Sequence, residues 1–209
     1  MRKNDIRRLL GPGRQIIFEV GSADGSDTVE FVNEFGEDLE IHCFEPEPKN
    51  ISIGVKRIPV RTGKLFRGVL SDIDGFVEFN RSRTDNEADL CLSGSILPPK
   101  EHLNRWPSII FDNKIKVKST TMDHYCHLNG VSHIDFIWAD VQGAELQMVR
   151  GGVQILRENV RYLYTEYSNE ELYKGQSTLA QILHFLGEHW IVSHDFKTDV
   201  LLRNTRFRG

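Results

Sequence analysis

The sequence predicts an α/β fold built on an open, mostly parallel β-sheet. Short apolar runs such as residues 15–20 end directly in a glycine or an acidic residue, which is typical of buried parallel strands. A glycine loop, an amphipathic segment and a second apolar run at residues 39–44 follow the first run. This order of strand, loop, helix and strand makes a βαβ unit with a right-handed crossover.

The other elements are predicted in chain order by the same rules. Gly11-Pro12-Gly13 ends a short helix over residues 5–10, and Ser26 or Asp27 is expected to cap the helix after the first strand. Further strands are predicted at residues 60–63, 65–70, 76–79, 115–119, 134–139, 160–165, 190–194 and 199–203, the last two forming a closing hairpin. Further helices are predicted at residues 121–125, 146–156 and 178–186, with Gly151-Gly152 interrupting the second of these.

Residues 80–113 differ from the rest because they are polar and contain Pro98, Pro99 and Pro107. Little regular structure is predicted there, and a segment of this kind is often functional or mobile. The chain has no internal repeat, so its 209 residues are expected to form one domain, with residues 1–14 as an N-terminal helical lead-in.

The composition argues against several classes of protein. Lys and Arg number 26 against 30 Asp and Glu, a net charge of −4, so no nucleic-acid partner is expected because phosphates need neutralising. Three cysteines form no disulfide framework and lack the spacing of zinc ligands, so no metal site is predicted. No apolar run approaches the ~20 residues of a membrane helix. We expect a cytoplasmic protein without membrane insertion, and a homo-oligomer stays open.

Glycines and acidic residues follow several strands at the same end. They occur in Glu19-Val20-Gly21, Phe44-Glu45, Leu70-Ser71-Asp72, Ala139-Asp140 and Thr165-Glu166. In an open parallel sheet, ligands bind along the carboxyl edge, where the strand order reverses. Strand ends of this kind, repeated along the chain, therefore predict one binding site.

The loop after the first strand indicates which ligand binds there. Gly21 and Gly25 form G-x-x-x-G, which is neither the G-x-G-x-x-G of dinucleotide-binding proteins nor a phosphate loop with its lysine. Glu45, at the end of the second strand, is suited to holding two ribose hydroxyls. The acidic first loop favours a cationic ligand over a pyrophosphate. S-adenosylmethionine, an adenosine that carries a positive sulfonium, meets these demands.

Several motifs together resemble the FkbM-type methyltransferases, a class I S-adenosylmethionine-dependent family, over roughly residues 15–187. They are residues 17–25, 44–48, 70–79, 120–125, 134–145 and 164–167, of which Asp140-Val-Gln-Gly-Ala-Glu145 is the most specific. Glu19 and Asp24 stand where the family commonly has Asp and Asn. The resemblance implies a Rossmann-like class I methyltransferase fold, a mostly parallel seven-stranded sheet with helices on both faces and a C-terminal antiparallel hairpin.

The resemblance also implies residue roles. The residues expected to bind S-adenosylmethionine are Glu19, Gly21, Ser22, Ala23, Gly25, Glu45, Pro46, Ser71, Asp72, Asp140 and Gln142. Family members generally methylate oxygen, so the expected acceptor is a small-molecule or carbohydrate hydroxyl. Such an acceptor benefits from a general base. The catalytic candidates are Asp140 and Glu166, with Glu145, His102 and His194 considered beside them.

The 85–113 segment is the candidate acceptor lid, in which Ser93, Ser95 and Trp106 are candidates to contact a sugar. Asp140 is interpreted equally well as a catalytic base or as an acid that binds the cofactor. Asp140 and Glu166 also have the oxygen ligands that a divalent cation accepts, although two acids alone are weak evidence for one.

Two other functions stay open at this point. A nicotinamide-dependent oxidoreductase on a similar sheet is one, and the missing third glycine argues against it. A binding module that keeps the cofactor pocket without catalysis is the other, and the complete series of acidic strand ends argues against it.

Overall fold

A seven-stranded sheet organises the computed structural model, which describes residues 1–58, 61–86 and 90–208. The strands are β1 (Gln15–Val20), β2 (Leu39–Phe44), β3 (Gly63–Phe66), β4 (Gly68–Leu70), β5 (Gly75–Arg83), β6 (Ile110–Thr120), β7 (Ile134–Ala139), β8 (Val160–Glu166), β9 (Trp190–Asp195) and β10 (Asp199–Asn204). The main sheet has the order β3-β2-β1-β7-β8-β10-β9.

Five neighbouring strands of this sheet, β3, β2, β1, β7 and β8, run parallel to one another. The strand β10 runs antiparallel to both of its neighbours, β8 and β9. The predicted mostly parallel sheet of seven strands with a closing antiparallel hairpin is therefore confirmed. The strand order reverses between β1 and β7, which is where open sheets of this kind bind ligands.

Helices cover both faces of the main sheet. The α-helices of the described residues are α1 (Lys3–Leu10), α2 (Ser26–Phe35), α3 (Pro48–Gly54), α4 (His102–Arg105), α5 (Met122–Asn129), α6 (Glu145–Arg150), α7 (Ile155–Glu158) and α8 (Leu179–Leu186). One face packs Ile6 and Phe31 against Ile17, and the other packs Met148 into a core with Leu163. Within the described parts of the chain, no helix combines the length and the apolar character that crossing a bilayer requires.

The start of α2 differs from the prediction. Gly25, rather than Ser26 or Asp27, occupies the cap position, with a left-handed φ of +77°. The Asp24 carboxylate accepts hydrogen bonds from the Ser26 backbone N–H at 3.1 Å and from its hydroxyl at 2.7 Å. The cap lies earlier because the chain must reverse within the loop, and a glycine adopts the required conformation at little cost.

The predicted strand over residues 65–70 is divided between two sheets. Gly63–Phe66 joins the main sheet beside β2, whereas Gly68–Leu70 pairs with β6 in a separate three-stranded sheet of order β4-β6-β5. A Cβ atom at Gly68 would lie 2.4 Å from the Lys118 carbonyl oxygen, so the division requires a glycine there. The predicted strand at 60–63 includes Val60, which is outside the described residues.

The segment at 80–113 has more regular structure than predicted. β5 extends to Arg83, β6 begins at Ile110, and α4 lies between them. Asn80 and Ser95 exchange two backbone hydrogen bonds, at 2.8 and 3.1 Å, which hold the segment to the three-stranded sheet. The prediction missed this order because the strand pairs join residues far apart in the sequence.

Candidate active site

A cleft lies at the carboxyl edge of the main sheet. The register aligns Val20 with Phe44 and with Ala139, and aligns Ala139 with Thr165. The loops that follow β1, β2 and β7 therefore meet around a cavity of about 150 Å³. The predicted site residues that line the cleft are Gly21, Ala23, Glu45, Pro46, Asp140 and Gln142.

Gly21 is where β1 ends and the chain passes under the cleft. Its N–H donates to the Phe44 carbonyl at 2.9 Å, which ties the β1 loop to β2. Its φ is +88°, and a Cβ atom would lie 1.9 Å from the Asp140 carbonyl oxygen. The turn and the close approach to β7 therefore both require glycine.

Glu45 presents a buried carboxylate to the cleft, 5% exposed. It accepts hydrogen bonds from the backbone N–H groups of Ala23 and Glu47, each at 2.8 Å. Burial raises the pKa of Glu45 to about 7, against the opposing effect of these hydrogen bonds. The carboxylate is thus fixed in orientation at the place where a diol would be held.

Six predicted site residues are not in the cleft lining. They are Glu19, Ser22, Gly25, Ser71, Asp72 and Glu166. Glu19 is buried behind the loop, where Thr28 donates a 2.6 Å hydrogen bond to it. Burial raises the pKa of Glu19 to about 8. Its place in the structure is between β1, β2 and α2, rather than facing the cleft.

Ser71 and Asp72, the residues expected near an adenine, also lie outside the cleft lining. The Ser71 hydroxyl is buried and lies 2.8 Å from the Ser119 hydroxyl, and Asp72 is exposed. The residues just before them, Val69 and Leu70, line the cleft instead and give it an apolar wall. The sequence predicts where β4 ends, but it does not predict which residues at that end face the cleft.

Asp140 follows β7 and lines the cleft beside Gly21. Gln142 Nε2 donates to its Oδ1 at 2.6 Å. Burial, together with the nearby carboxylates of Asp199 and Asp27, raises the pKa of Asp140. A carboxylate in such surroundings is suited to accepting a proton.

The other candidate bases surround Asp140. Burial raises the pKa of Glu145 to about 7, and its Oε1 accepts from the Gly143 N–H at 3.1 Å. The pKa of Glu166 is raised to about 8, first by desolvation and then by the charges of Asp140, Asp199 and Glu145, although part of the residue is exposed. Glu166 directly follows Thr165, whose partner across the sheet is Ala139, the residue before Asp140.

The two histidines considered as bases are not in the cleft lining. His102 is buried among aromatic rings, with its centroid 4.7 Å from that of Trp106. His194 stacks on Phe196 in the terminal hairpin. Trp106 likewise packs on His102 and is not a lining residue.

Residues 91–96, within the 85–113 segment, form the outer wall of the cleft, and all of them except Ser93 line it. Sequence reasoning missed how they are held. Asn50 in α3 donates to the Cys91 carbonyl at 2.9 Å, and the Ser95 hydroxyl donates to the Gln142 carbonyl at 2.7 Å. The Ser95 hydroxyl is therefore used inside the protein. Residues 87–89 of the segment lie outside the described residues.

Asn50 is a lining residue that sequence reasoning did not find. It is 1% exposed, and its amide nitrogen lies 3.5 Å from a Glu45 oxygen. The sequence feature that could have identified Asn50 is its position at the start of the helix that follows Glu45. Across residues 1–58, 61–86 and 90–208, no group of three His, Cys, Asp or Glu side chains is arranged to hold a metal ion.

The cleft fits the adenosyl donor expected from the sequence. Glu45 is a fixed, buried carboxylate of the kind that accepts hydrogen bonds from a diol, and Val69 and Leu70 form an apolar surface of the kind that an aromatic base packs on. Gly21 lines the cleft together with Asp140, whose carboxylate suits a nearby positive charge.

Comparison with known proteins agrees with this geometry. Residues 19–197 match the model of the methyltransferase FkbM domain. The 2-O-methyltransferase NoeI of Sinorhizobium fredii is 38% identical over 206 residues, which are 96% of this chain and 84% of that protein.

Solved structures share the fold at low identity. An rRNA methylase from Streptococcus thermophilus has a TM-score of 0.50 at 13% identity, covering 96% of this chain and 93% of that chain. A candidate O-methyltransferase from Klebsiella pneumoniae has a TM-score of 0.53 at 9% identity, covering 97% and 77%. With the family match over most of its length, the chain belongs to the FkbM family of methyltransferases, and its methyl donor is S-adenosylmethionine.

Proposed function

We propose that the protein transfers a methyl group from S-adenosylmethionine to a hydroxyl of a carbohydrate or another small molecule. The observation that carries the proposal is that Gly21, Glu45 and Asp140, from three different loops, line one cleft. The similarity to a 2-O-methyltransferase supports oxygen as the acceptor atom and a sugar-like hydroxyl as its chemical class.

S-adenosylmethionine supplies a methyl group that is already activated for in-line displacement. The protein therefore has to hold and align the two reactants. Glu45 holds the ribose hydroxyls, since its carboxylate is kept in place by the N–H groups of Ala23 and Glu47. Gly21 lets β1 turn closely against the Asp140 carbonyl, which brings the loop after β1 to the cleft.

Asp140 is the base in this proposal. A hydroxyl oxygen that gains a methyl group must lose its proton, and a carboxylate in hydrogen-bond reach accepts it. Asp140 lines the cleft, whereas Glu166 beside it does not. Glu166 is the alternative base, positioned to receive the proton if the acceptor enters from the side of β8.

The acceptor is expected to lie against residues 91–96, the part of the candidate lid that borders the cleft. Leu92 is 56% exposed there, an apolar side chain available for the carbon face of a sugar. The hydrogen bonds from Asn50 and Ser95 position this wall rather than contact the acceptor.

The test has a binding stage and a transfer stage. Calorimetry with S-adenosylmethionine, S-adenosylhomocysteine and NAD is expected to show binding of the first two alone. Transfer of a labelled methyl group is then measured on a panel of saccharides and their 2-deoxy analogues, which we expect to be inactive. Binding of NAD would favour an oxidoreductase, and donor binding without transfer to any hydroxyl would favour a binding module.

We also infer a cytoplasmic location and no nucleic-acid partner. The three cysteines are unpaired and buried, which suits a reducing compartment. A net charge of −4 disfavours binding to phosphate backbones. Light scattering would measure the oligomeric state, for which the sequence left a homo-oligomer open.

A further inference from the structure

A chain of hydrogen bonds leads from Asp140 away from the cleft to a buried tyrosine. Gln142 Nε2 lies 2.6 Å from Asp140 Oδ1, and its Oε1 lies 2.8 Å from the Tyr173 hydroxyl. The same hydroxyl lies 2.8 Å from the Ser93 carbonyl oxygen, in the outer wall of the cleft. Tyr173 is 1% exposed and is not a lining residue.

We propose that Tyr173 is a positioning residue for methyl transfer, whose hydroxyl fixes the Gln142 amide so that its NH₂ group faces Asp140. This inference rests on the proposed function, in which Asp140 accepts the proton of the acceptor hydroxyl. Tyr173 acts through Gln142 and touches neither reactant.

The Gln142 amide needs such a partner. The oxygen and nitrogen of an amide have nearly the same shape, so hydrogen-bonding neighbours decide which way it faces. A Tyr173 hydroxyl that donates to Oε1 and an ionised Asp140 that accepts from Nε2 require the same orientation. The Gln142 backbone has a φ of +51°, and Ser95 holds its carbonyl at 2.7 Å, so the side chain starts from a fixed place.

The Tyr173 ring is itself held firmly. It packs against His102 and Phe111, at centroid distances of 5.3 and 6.4 Å. A Cβ atom at Gly143 would lie 2.9 Å from the ring, so the Gly143 position is matched to it. The hydroxyl therefore has little freedom other than rotation of its hydrogen.

The surroundings of Asp140 make the amide important. Several carboxylates on other elements disfavour its charged form, and the Gln142 amide favours that form. These carboxylates are Asp27 of α2, Glu145 of α6, Glu166 of β8 and Asp199 of β10.

The test is Tyr173→Phe, which keeps the ring and removes the hydroxyl. We expect kcat to fall about tenfold with donor affinity little changed, since a positioning effect acts on the transfer step. The acid limb of the kcat profile is expected to move to higher pH by about one unit, because Asp140 loses support for its charged form. Titration of ¹³C-labelled aspartate carboxyls in the donor-free protein should show that the pKa of Asp140 rises by the same amount. The Asp140→Asn variant assigns the Asp140 signal.

Gln142→Met removes the amide and is expected to raise the pKa of Asp140 by the same amount as Tyr173→Phe. The double variant should raise this pKa no further, because Tyr173 acts through Gln142. The matched control is Tyr125→Phe, which removes another buried hydroxyl, 2.9 Å from His42, and should leave the titration unchanged.

An unchanged Asp140 titration in folded Tyr173→Phe protein would overturn the inference, and so would additive effects in the double variant. The carboxyl titration needs no acceptor. It therefore decides this inference even if the wild-type protein methylates no hydroxyl, a result that would count against the proposed function alone.

Discussion

At the scale of single residues, the notable property of this site is that its carboxyl groups are buried or crowded. Burial raises the pKa of Glu45 and Glu145 to about 7, and the pKa of Glu166 reaches about 8. Such groups change charge close to neutral pH, which suits proton transfer and the binding of a cationic donor. Their cost in folding stability is a sign of function.

Glu45→Ala is expected to weaken S-adenosylmethionine binding by about 1–3 kcal/mol, the scale of lost charge-assisted hydrogen bonds. Calorimetry measures the affinity. Glu78→Ala is the matched control, since Glu78 lies exposed on β5 in an ion pair with Lys114. Unchanged affinity in the Glu45 variant would remove the ribose assignment.

Asp140→Asn is expected to reduce kcat by about 10²–10⁴-fold, because an amide cannot take up the acceptor proton. Donor affinity should change far less. Glu166→Gln measured beside it separates the two candidate bases. A loss confined to affinity would make Asp140 a binding residue, and a larger loss of kcat in the Glu166 variant would move the base to β8.

At the scale of elements, the turn between β1 and α2 borders the cleft where we propose that the donor binds. Gly21→Ala puts a Cβ atom 1.9 Å from the Asp140 carbonyl and forces β1 and β7 apart. We expect at least a tenfold loss of donor affinity and destabilisation of several kcal/mol, beyond the ~1–2 kcal/mol of a left-handed alanine. Calorimetry and denaturant unfolding measure the two effects.

Gly130→Ala isolates the backbone contribution, because Gly130 has a φ of +66° with open space around it at the end of α5. It should lose stability by the conformational cost alone and keep its donor affinity. Equal effects of the two substitutions would show that close approach to Asp140 is unimportant.

At the scale of the whole molecule, buried acids make stability depend on pH. Glu19 has its pKa raised from 4.5 to about 8 by burial, so between these values the folded state holds a proton that the unfolded state has lost. Stability should therefore fall as pH rises through this range, at up to about 1.4 kcal/mol per pH unit for one such group.

Glu19→Gln, which has no proton to lose, is expected to flatten this decline. Denaturant unfolding at pH 5 and pH 8 measures it, and Glu30→Gln, exposed on α2, should keep the wild-type slope. Identical slopes in all three proteins would show that Glu19 ionises in the folded state as it does in the unfolded one.

Much of this molecule was predictable because buried parallel strands are short apolar runs. β1, β2 and β7 have the predicted bounds, and their ends placed Gly21, Glu45 and Asp140 at one edge. The strands of the second sheet were predicted in part, at residues 65–70, 76–79 and 115–119, but their pairing was not, because β4, β5 and β6 pair across long separations.

The sequence by itself determined the sheet, the family and the positions of the polar strand ends, because periodicity and glycine placement are local properties. The tertiary structure decided which side of each strand end faces the cleft: it turned Glu19 and Ser71 inward and left Val69 and Leu70 on the wall. It also decided that Tyr173, more than 30 residues after Asp140, stands behind Gln142. Contacts of this kind depend on packing between distant segments, which no local pattern encodes.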